Sequence, residues 1–209
     1  MKSRDDVLRG ANRRRVVQGM AWSVPLAVGA SSVPAYAASI CTEVRIPTFS
    51  DTEWTWENNA PIDHVRRELG TKFQGIGRYM RFFSRDNVHR NRPTTTANLH
   101  TVVHLTAGCT YSIAVPAKKI QNNGENQPDH TDQWIDIYLG GTKIAGATTG
   151  AATSDRIPLS STVDTDIVGQ YTATTTGPTP LRYEFTLLRP VAPHFGNDDI
   201  VVGPPTFSI

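Results

Sequence analysis

The sequence predicts an all-β fold, an antiparallel β-sandwich, for the part of the chain that follows residue 37. Two observations predict it: residues 38–209 contain no long segment with helical periodicity, and short alternating stretches recur between Gly, Pro, Asn and Asp residues. Alternation places apolar side chains on one face of a strand. About eight to ten such stretches are enough for two sheets that bury their apolar faces against each other.

The strands are predicted from this alternation, which is clearest in residues 181–187, 135–139 and 111–115. Gly140 and Gly141 directly follow the second of these stretches and predict a hairpin to residues 142–144. The remaining candidate strands are residues 43–49, 77–83, 99–106, 170–175 and 199–202. A single short helix is predicted at residues 62–69, where Asp63 provides a capping side chain.

The first part of the chain, residues 1–37, is predicted to be a signal peptide that is removed, which leaves one domain of residues 38–209. It carries six basic and two acidic side chains, so the formal charge changes from +2 for the whole chain to −2 for the remainder. A basic start is followed by small and apolar residues and by Ala-Tyr-Ala at residues 35–37, the pattern of a cleavage site. Gln18 and Pro25 interrupt the apolar part, so no permanent membrane span is expected.

The basic start resembles a twin-arginine export motif. Arg13 and Arg14 are followed by one further residue and then by two apolar ones, as in that motif. The resemblance implies an export translocase as a partner, and the leader as a whole resembles those of secreted and surface proteins of Gram-positive actinobacteria. A general secretory signal with a long basic region is the alternative. Both routes place the protein outside the cell, secreted or associated with the cell surface.

The composition limits the function classes. The 209 residues include 21 Lys or Arg and 19 Asp or Glu, and this balance argues against a nucleic-acid partner, because such proteins carry a clustered basic excess. A hydrophobic content of 38% with 19% charged residues supports a buried core but not several membrane spans. No internal repeat or linker divides residues 38–209, so a single domain is expected.

The two cysteines, Cys41 and Cys109, predict one disulfide in an exported protein. The bond would close a loop of about 70 residues, and the entropy lost by the unfolded chain would stabilise the fold by about 4 kcal/mol. Two unpaired thiols are the alternative. A lipid anchor is not expected, because Ile40, directly before Cys41, is not the small residue that lipoprotein processing needs.

Three segments between residues 105 and 202 carry a resemblance to a known family. Residues 105–113 contain Gly-x-x-Tyr, a glycine that can take a turn followed by a tyrosine that points into a core. Residues 169–174 lead into residues 181–185, and residues 197–202 contain Asp-Asp before apolar residues. These segments resemble strands of galactose-binding-like jelly rolls, a group that includes many carbohydrate-binding modules, with Asn197 in place of an aromatic residue. The resemblance implies a jelly roll in a secreted adhesive or glycan-binding setting, without a particular ligand.

The candidate ligand-binding residues are Trp54, Trp56 and Trp134. A sugar site on a β-sandwich needs an aromatic ring for the apolar face of the sugar and amides or carboxylates for its hydroxyls. Asn58 and Asp136 lie close to these tryptophans in the sequence. Trp54 and Trp56 have the same parity, so both would face one side of a strand. This arrangement predicts either an exposed platform or a pair of core residues, and both interpretations are open.

Candidate metal ligands are few. Asp198 and Asp199 are candidates for a structural calcium ion, which prefers carboxylate and carbonyl oxygens, although a solvated turn before the last strand is the favoured interpretation. His100 and His104 fall in a predicted strand, where residues four positions apart are separated by about 13 Å. That distance is too large for one zinc ion. No other cofactor is expected.

The leading functional prediction is a non-catalytic binding domain at or near the cell surface, with a polysaccharide or cell-wall polymer as the ligand class. The chain lacks a Gly-x-Ser-x-Gly segment, a cysteine–histidine arrangement and a phosphate-binding loop, so no catalytic residue is assigned. A structural or self-associating surface protein is the first alternative. A small secreted hydrolase is the second, because two carboxylates can converge in space from distant positions.

Overall fold

The computed structural model describes residues 41–58, 65–73, 75–84, 95–120, 132–187 and 199–209. The part of the chain from Cys41 to Ile209 forms one compact unit. The predicted signal peptide, residues 1–37 with Arg13 and Arg14, lies outside the described residues and stays a prediction. In the described ranges, no helix has the length and apolarity that a membrane span requires.

All regular elements in the described residues are β-strands. The twelve strands are β1 (Thr55–Asn58), β2 (Val65–Gly70), β3 (Tyr79–Ser84), β4 (Thr95–Leu105), β5 (Thr110–Ile120), β6 (Gln133–Leu139), β7 (Thr142–Thr148), β8 (Ile157–Pro158), β9 (Thr165–Thr172), β10 (Gly177–Leu187), β11 (Asp199–Val202) and β12 (Thr206–Ser208). Together they form two sheets of six strands each.

The two sheets are almost entirely antiparallel. The first sheet has the order β1-β4-β10-β6-β7-β8, and its one parallel pair is β7 with β8. In the second sheet β2, β3, β11 and β5 follow one another, and β9 and β12 also pair with β5. Both β9 and β12 cover residues 112–114 of β5, so they lie on its opposite edges. β12 and β11 therefore lie end to end along the edge that β9 leaves free.

The chain passes repeatedly from one sheet to the other. The connections β4–β5, β5–β6, β8–β9, β9–β10 and β10–β11 each join strands of different sheets. A chain that alternates in this way between two packed antiparallel sheets forms a jelly roll. The predicted fold class, an antiparallel β-sandwich, is confirmed.

The inner faces of both sheets form one core. Leu181, Tyr183 and Phe185 of β10 are fully buried, as the alternation of this strand predicts. The rings of Phe185 and of Phe82 in β3 stack with 4.5 Å between their centroids, and this contact joins the two sheets. Arg182 and Glu184, which alternate with these residues, face the outer surface of the first sheet and are partly exposed.

Two glycine turns have the backbone that the sequence predicts. Gly140 and Gly141 have φ angles of +58° and +84° and connect β6 to β7 as a tight hairpin. Gly108, with φ +80°, forms the turn before β5. Tyr111 in β5 is fully buried, and its hydroxyl accepts a hydrogen bond from the Thr106 amide at 2.9 Å. The expectation drawn from the Gly-x-x-Tyr segment is confirmed.

The predicted helix at residues 62–69 is wrong where the structure describes it, because residues 65–70 form the edge strand β2. This strand pairs with β3 from Val65 opposite Ser84 to Gly70 opposite Tyr79. An isolated two-turn helix is marginal in water, since it makes few hydrogen bonds for the residues it orders. Pairing along a strand that is already in place supplies those bonds, and the sheet therefore decides the local structure.

Two predicted strands are also corrected. Residues 43–48 are irregular, although Val44 and Phe49 are buried in the core. Their spacing reflects the packing of an irregular segment against the sandwich rather than a strand. The strand predicted at residues 170–175 begins earlier, at Thr165, because pairing with β5 extends from Thr165 to Thr172.

A disulfide joins Cys41 to Cys109, as the sequence predicts. It ties the start of the described chain to the turn before β5. The segment that follows Cys41 places Val44, Phe49 and Trp54 in the core although it forms no strand before β1. The bond therefore anchors an irregular segment whose contribution to the fold is made by side-chain burial.

Reduction of this disulfide is expected to lower the free energy of unfolding by about 4 kcal/mol, the entropy term for releasing a loop of this length. Urea unfolding of the oxidised and reduced protein measures the effect, and the double variant Cys41→Ser/Cys109→Ser repeats it without reductant. A common urea midpoint for all three forms would contradict the stabilising role of the bond.

Gly169 in β9 lets the two sheets approach each other along one side of the sandwich. A Cβ atom at this position would lie 2.7 Å from the carbonyl oxygen of Ile144 and 3.2 Å from the Cβ of Ala145, both in β7. Backbone atoms of a paired strand do not move aside easily. Only glycine therefore allows β9 of the second sheet to lie this close to β7 of the first.

Gly169→Ala is expected to lower the free energy of unfolding by about 1–3 kcal/mol, because the added methyl group must push β9 away from β7. Gly77→Ala is the matched control, since no atom lies within 4 Å of its Cβ position. A change below about 0.5 kcal/mol is expected there. Chemical denaturation measures both variants, and equal stability would show that β7 and β9 separate freely at this point.

Candidate functional site: the outer face of the first sheet

The outer face of the first sheet carries the candidate site, because its central strands point aromatic and charged side chains away from the core. In β6 every second residue faces the core, so Trp134, Asp136 and Tyr138 face outward. In β10 the same alternation turns Arg182 and Glu184 outward. We call the following set the polar face: Trp134, Asp136, Tyr138, Lys143, Asp155, Arg156, Arg182 and Glu184.

Strand register brings the side chains of the polar face into rows. Tyr138 lies between Arg182 of β10 and Lys143 of β7. Asp136, two residues before Tyr138, lies opposite Glu184. Neighbouring strands are about 4.8 Å apart, so side chains in one row are close enough to interact.

Asp136 lies at the centre of the polar face and is 4% exposed. Arg156 donates hydrogen bonds to both of its carboxylate oxygens, at 2.9 and 2.6 Å, in the bidentate geometry of strong arginine–carboxylate pairs. Lys143 Nζ lies 2.9 Å from Asp136 Oδ1. Gly146 leaves space for this cluster, since a Cβ atom there would lie 2.5 Å from Oδ1 and 3.1 Å from the Cγ of Arg156. One buried carboxylate thus holds two cations.

A guanidinium group lies over each of the two aromatic rings of the polar face. The Cζ of Arg156 lies 4.6 Å from the ring centroid of Trp134. The Cζ of Arg182 lies 4.1 Å from the ring centroid of Tyr138. Cation–π attraction holds each guanidinium group against its ring, so the aromatic and the charged parts of the face are positioned together.

The contacts of Arg182 extend the polar face towards β4. Arg182 donates hydrogen bonds to Glu184 and, at 3.2 Å, to the side-chain oxygen of Asn98. The Tyr138 hydroxyl donates to Glu184 at 3.4 Å. Planar amide, carboxylate and guanidinium groups therefore lie side by side, and both charged groups remain partly exposed.

Ion pairing and burial set the charges at this site. Hydrogen bonds from Lys143 and from Thr153 lower the pKa of Asp155 to about 2. Burial acts to lower the pKa of Lys143, but hydrogen bonds to two carboxylates outweigh it and the pKa is raised. Burial, followed by the nearby charge of Glu184, raises the pKa of Tyr138. At neutral pH these groups are a charged carboxylate, a charged ammonium group and a neutral phenol.

Of the three candidate tryptophans, Trp134 lies on the polar face and the other two point into the sandwich. Trp54 is 1% exposed, with its ring 5.3 Å from that of Tyr183. The ring of Trp56 lies 5.9 Å from that of Phe82 in the second sheet. Trp54 is thus a core residue and Trp56 packs partly buried against the core. Of the two open interpretations, the core pair and not the exposed platform describes these rings, because large apolar rings are more stable between the sheets than in water.

Asp199 is buried, so the interpretation of this residue as part of a solvated turn is wrong. It is 1% exposed, at the start of β11, and accepts a hydrogen bond from Arg81 Nε at 2.9 Å. The guanidinium group neutralises a carboxylate that burial would otherwise make costly. Asp198 lies outside the described residues, and the calcium site stays a prediction. Among the residues that the structure describes, no three His, Cys, Asp or Glu side chains cluster as metal ligands do.

Several members of the polar face were not candidates in the sequence: Tyr138, Lys143, Asp155, Arg156, Arg182 and Glu184. The alternation of β6 and β10 contains a signal for three of them, since Tyr138, Arg182 and Glu184 occupy the outward positions of clear strands. Lys143 follows the hairpin turn. Asp155 and Arg156 come from a loop without periodicity, and no local pattern indicates that they fold back onto Asp136.

No family model and no curated protein matches the chain. Among solved structures, the carbohydrate-binding module TmCBM61, in complex with β-1,4-galactotriose, is 11% identical with a TM-score of 0.43, over 77% of this chain and 90% of that one. The CBM22-1 xylan-binding domain of Paenibacillus barcinonensis Xyn10C is 10% identical with a TM-score of 0.42, over 81% and 94%. A cyclase from Fischerella sp. TAU is 8% identical with a TM-score of 0.42, over 79% and 88%. The chain is thus similar to binding modules and to an enzyme alike.

The contact between Lys143 and Asp155 is expected to persist in acid. The pKa of Asp155 is lowered from 3.8 to about 2, so the contact stabilises the fold fully above pH 3.8 and loses its effect as the pH falls through 2. A carbon-13 NMR titration of the Asp155 carboxyl group should give a midpoint of about 2. Lys143→Met should return the midpoint towards 3.8, and a wild-type midpoint near 3.8 would contradict the ion pair.

Proposed function

We propose that the protein is a non-catalytic domain that acts outside the cytoplasm and binds a glycan on the polar face. The observation that carries the proposal is a pair of stacks, each made of an aromatic ring, a guanidinium group and a carboxylate, on the outer face of one sheet. Aromatic rings contact the apolar faces of sugars, and planar charged groups bond to two neighbouring hydroxyls at once. The polar face supplies both kinds of group, with a guanidinium group stacked over each ring.

The fixed positions of these side chains support binding. Asp136 holds Arg156, and Glu184 holds Arg182. Side chains that are already immobilised by their neighbours lose little rotamer freedom when a ligand binds. The small loss of rotamer freedom matters for sugar binding, because each hydrogen bond to a sugar hydroxyl replaces one to water and contributes little net free energy.

The charge balance of the polar face favours a neutral glycan over an anionic wall polymer. Its three cationic side chains pair with its three carboxylates. Without a net charge, the face gives a polyanion no long-range attraction. The hydroxyls of a neutral polysaccharide both donate to carboxylates and accept from cations, so we infer that a neutral polysaccharide is the ligand class.

The ion pairs also support binding without catalysis. Hydrolysis of a glycosidic bond needs a carboxylic acid whose pKa is raised, so that it can donate a proton. On the polar face the pKa of Asp155 is lowered, and arginines engage the carboxylates of Asp136 and Glu184. The face is therefore arranged to hold a ligand rather than to protonate it.

The disulfide supports a location outside the cytoplasm. The bond between Cys41 and Cys109 lies within the described domain, and such bonds persist in oxidising compartments. Together with the predicted export signal at residues 1–37, it supports a protein that passes through an export translocase and acts in the medium or at the cell surface.

Arg182→Ala is expected to weaken binding to a neutral polysaccharide at least about tenfold, because it removes the group that stacks on Tyr138 and leaves Glu184 without its cationic partner. Arg45→Ala is the matched control, since the Arg45 side chain is 92% exposed and lies outside the polar face. Affinity gel electrophoresis of both variants in galactan and xylan measures the effect, with polygalacturonate as the anionic comparison.

The proposal requires that at least one neutral polysaccharide retards the wild type and Arg45→Ala, and that Arg182→Ala escapes retardation. Equal retardation of the two variants would place the site elsewhere. Retardation by polygalacturonate alone would contradict the neutral ligand class. Absence of retardation by every polysaccharide, with concentration-dependent association in sedimentation equilibrium, would favour a self-associating surface protein.

A further inference from the structure

A groove lies beside the polar face, between β7, the loop that leads into β8, and β9. Its volume is about 440 Å³, within the range of about 300–1,000 Å³ that small-ligand sites occupy. Its lining includes Ile144, Ala145, Asp155, Ile157, Asp166 and Val168. The groove thus has walls from both sheets.

Two glycines shape this groove. Gly169 allows β9 to lie close to β7, against Ile144. Gly146 allows the loop to approach β7 from the other side, since a Cβ atom there would lie 3.1 Å from the carbonyl oxygen of Asp155. Because backbone atoms set both close approaches, the groove is built into the fold rather than formed by mobile side chains.

The groove exposes aliphatic side chains to water. Val168 is 60% exposed and Ile157 is 40% exposed. In contrast to the polar face, no described residue of the lining is aromatic. Covering aliphatic surface is favourable in proportion to its area, so a ligand that fits the groove needs an aliphatic group of its own.

The charges at the groove disfavour an anion. In the part of the chain that the structure describes, two carboxylates, Asp155 and Asp166, line it together with one cation, Arg156. The guanidinium group of Arg156 is already engaged by Asp136, and the carboxylate of Asp155 is paired with Lys143, so Asp166 decides the sign of the charge in the groove. Phosphate and uronate groups would therefore be repelled, whereas hydroxyl groups can donate hydrogen bonds to the carboxylates.

Arg156 connects the groove to the polar face. Its side chain lines the groove, bonds to Asp136 and lies over the ring of Trp134. A glycan that occupies the polar face at Trp134 therefore reaches the groove directly. A peptide strand fits less well, because β8 has two residues and Pro158 has no amide hydrogen for a sheet bond.

We propose that the groove binds a 6-deoxyhexose unit of the glycan that the polar face holds. In such a sugar a methyl group replaces the hydroxymethyl group at carbon 5, so one side is aliphatic while the other hydroxyls remain donors. The methyl group covers Ile157 and Val168, and the hydroxyls bond to Asp155 and Asp166. The assignment rests on the proposed function, because it names a sugar unit of the same ligand.

L-Fucose and L-galactose test the groove, since the two sugars differ only in the hydroxyl at carbon 6. NMR titration of the purified full chain is expected to show about fourfold tighter binding of L-fucose, the effect of burying one methyl group. Val168→Arg places a long charged side chain in the groove and should abolish this preference. Val163→Arg is the matched control, because Val163 is 62% exposed and does not line the groove.

A second variant tests the groove in case Val168→Arg does not fold. Ile157→Ser removes aliphatic surface from an exposed position without blocking the groove, and it should reduce the preference for L-fucose below about twofold. Melting temperatures of all three variants show which of them are folded. Equal affinity of the wild type for both sugars overturns the assignment, as does a preference that survives in folded Val168→Arg and Ile157→Ser or that Val163→Arg abolishes.

The groove and the proposed function fail in different ways. Retention of a neutral polysaccharide without a preference for L-fucose keeps the polar face as the binding site and removes the groove. A preference for L-fucose without retention of any polysaccharide removes the proposed function and keeps the groove as a sugar site only.

Discussion

The bidentate contact between Arg156 and Asp136 is the interaction on which the outer face of the first sheet depends. It binds the loop before β8 to the sheet and places a guanidinium group over Trp134. It also positions Asp155 beside Lys143 and forms one wall of the groove. Asp136 is almost fully buried, and removing one partner of such a charge pair is strongly destabilising. The loop therefore stays on the sheet, and the polar face and the groove share one support.

This contact in turn depends on how the core is packed. The stacked rings of Phe82 and Phe185 join the two sheets, and the inward residues of β6 and β10 must face that core. Once the inward positions are set, strict alternation places Asp136 and Glu184 on the opposite face, in register with each other. A slip of one residue would exchange the two faces, so the same hydrophobic pattern that stabilises the core also aligns the polar face.

Sequence patterns identified most of the sandwich but only part of the site. The sandwich fold, the Gly140–Gly141 hairpin and the disulfide follow from local alternation, turn chemistry and the presence of two cysteines. The helix predicted at residues 62–69 is wrong over the described residues 65–69, because a neighbouring strand supplies hydrogen bonds that local propensity does not include. Trp54 and Trp56 share parity in either interpretation, and parity alone does not say which side of a strand faces the core. Trp134 was found, but its partner Arg156 was not.

Local alternation is therefore sufficient to predict which side chains share a face of a strand, because it is a property of neighbouring residues. Long-range packing, in contrast, sets which strands lie side by side and where irregular segments fold back onto the sheets. β6 and β10 are far apart in the chain but adjacent in the first sheet. Glycine is required at positions 146 and 169 because atoms of other segments lie close to them. A binding face made by several strands depends on these long-range pairings, whose free energy comes from burying the whole core.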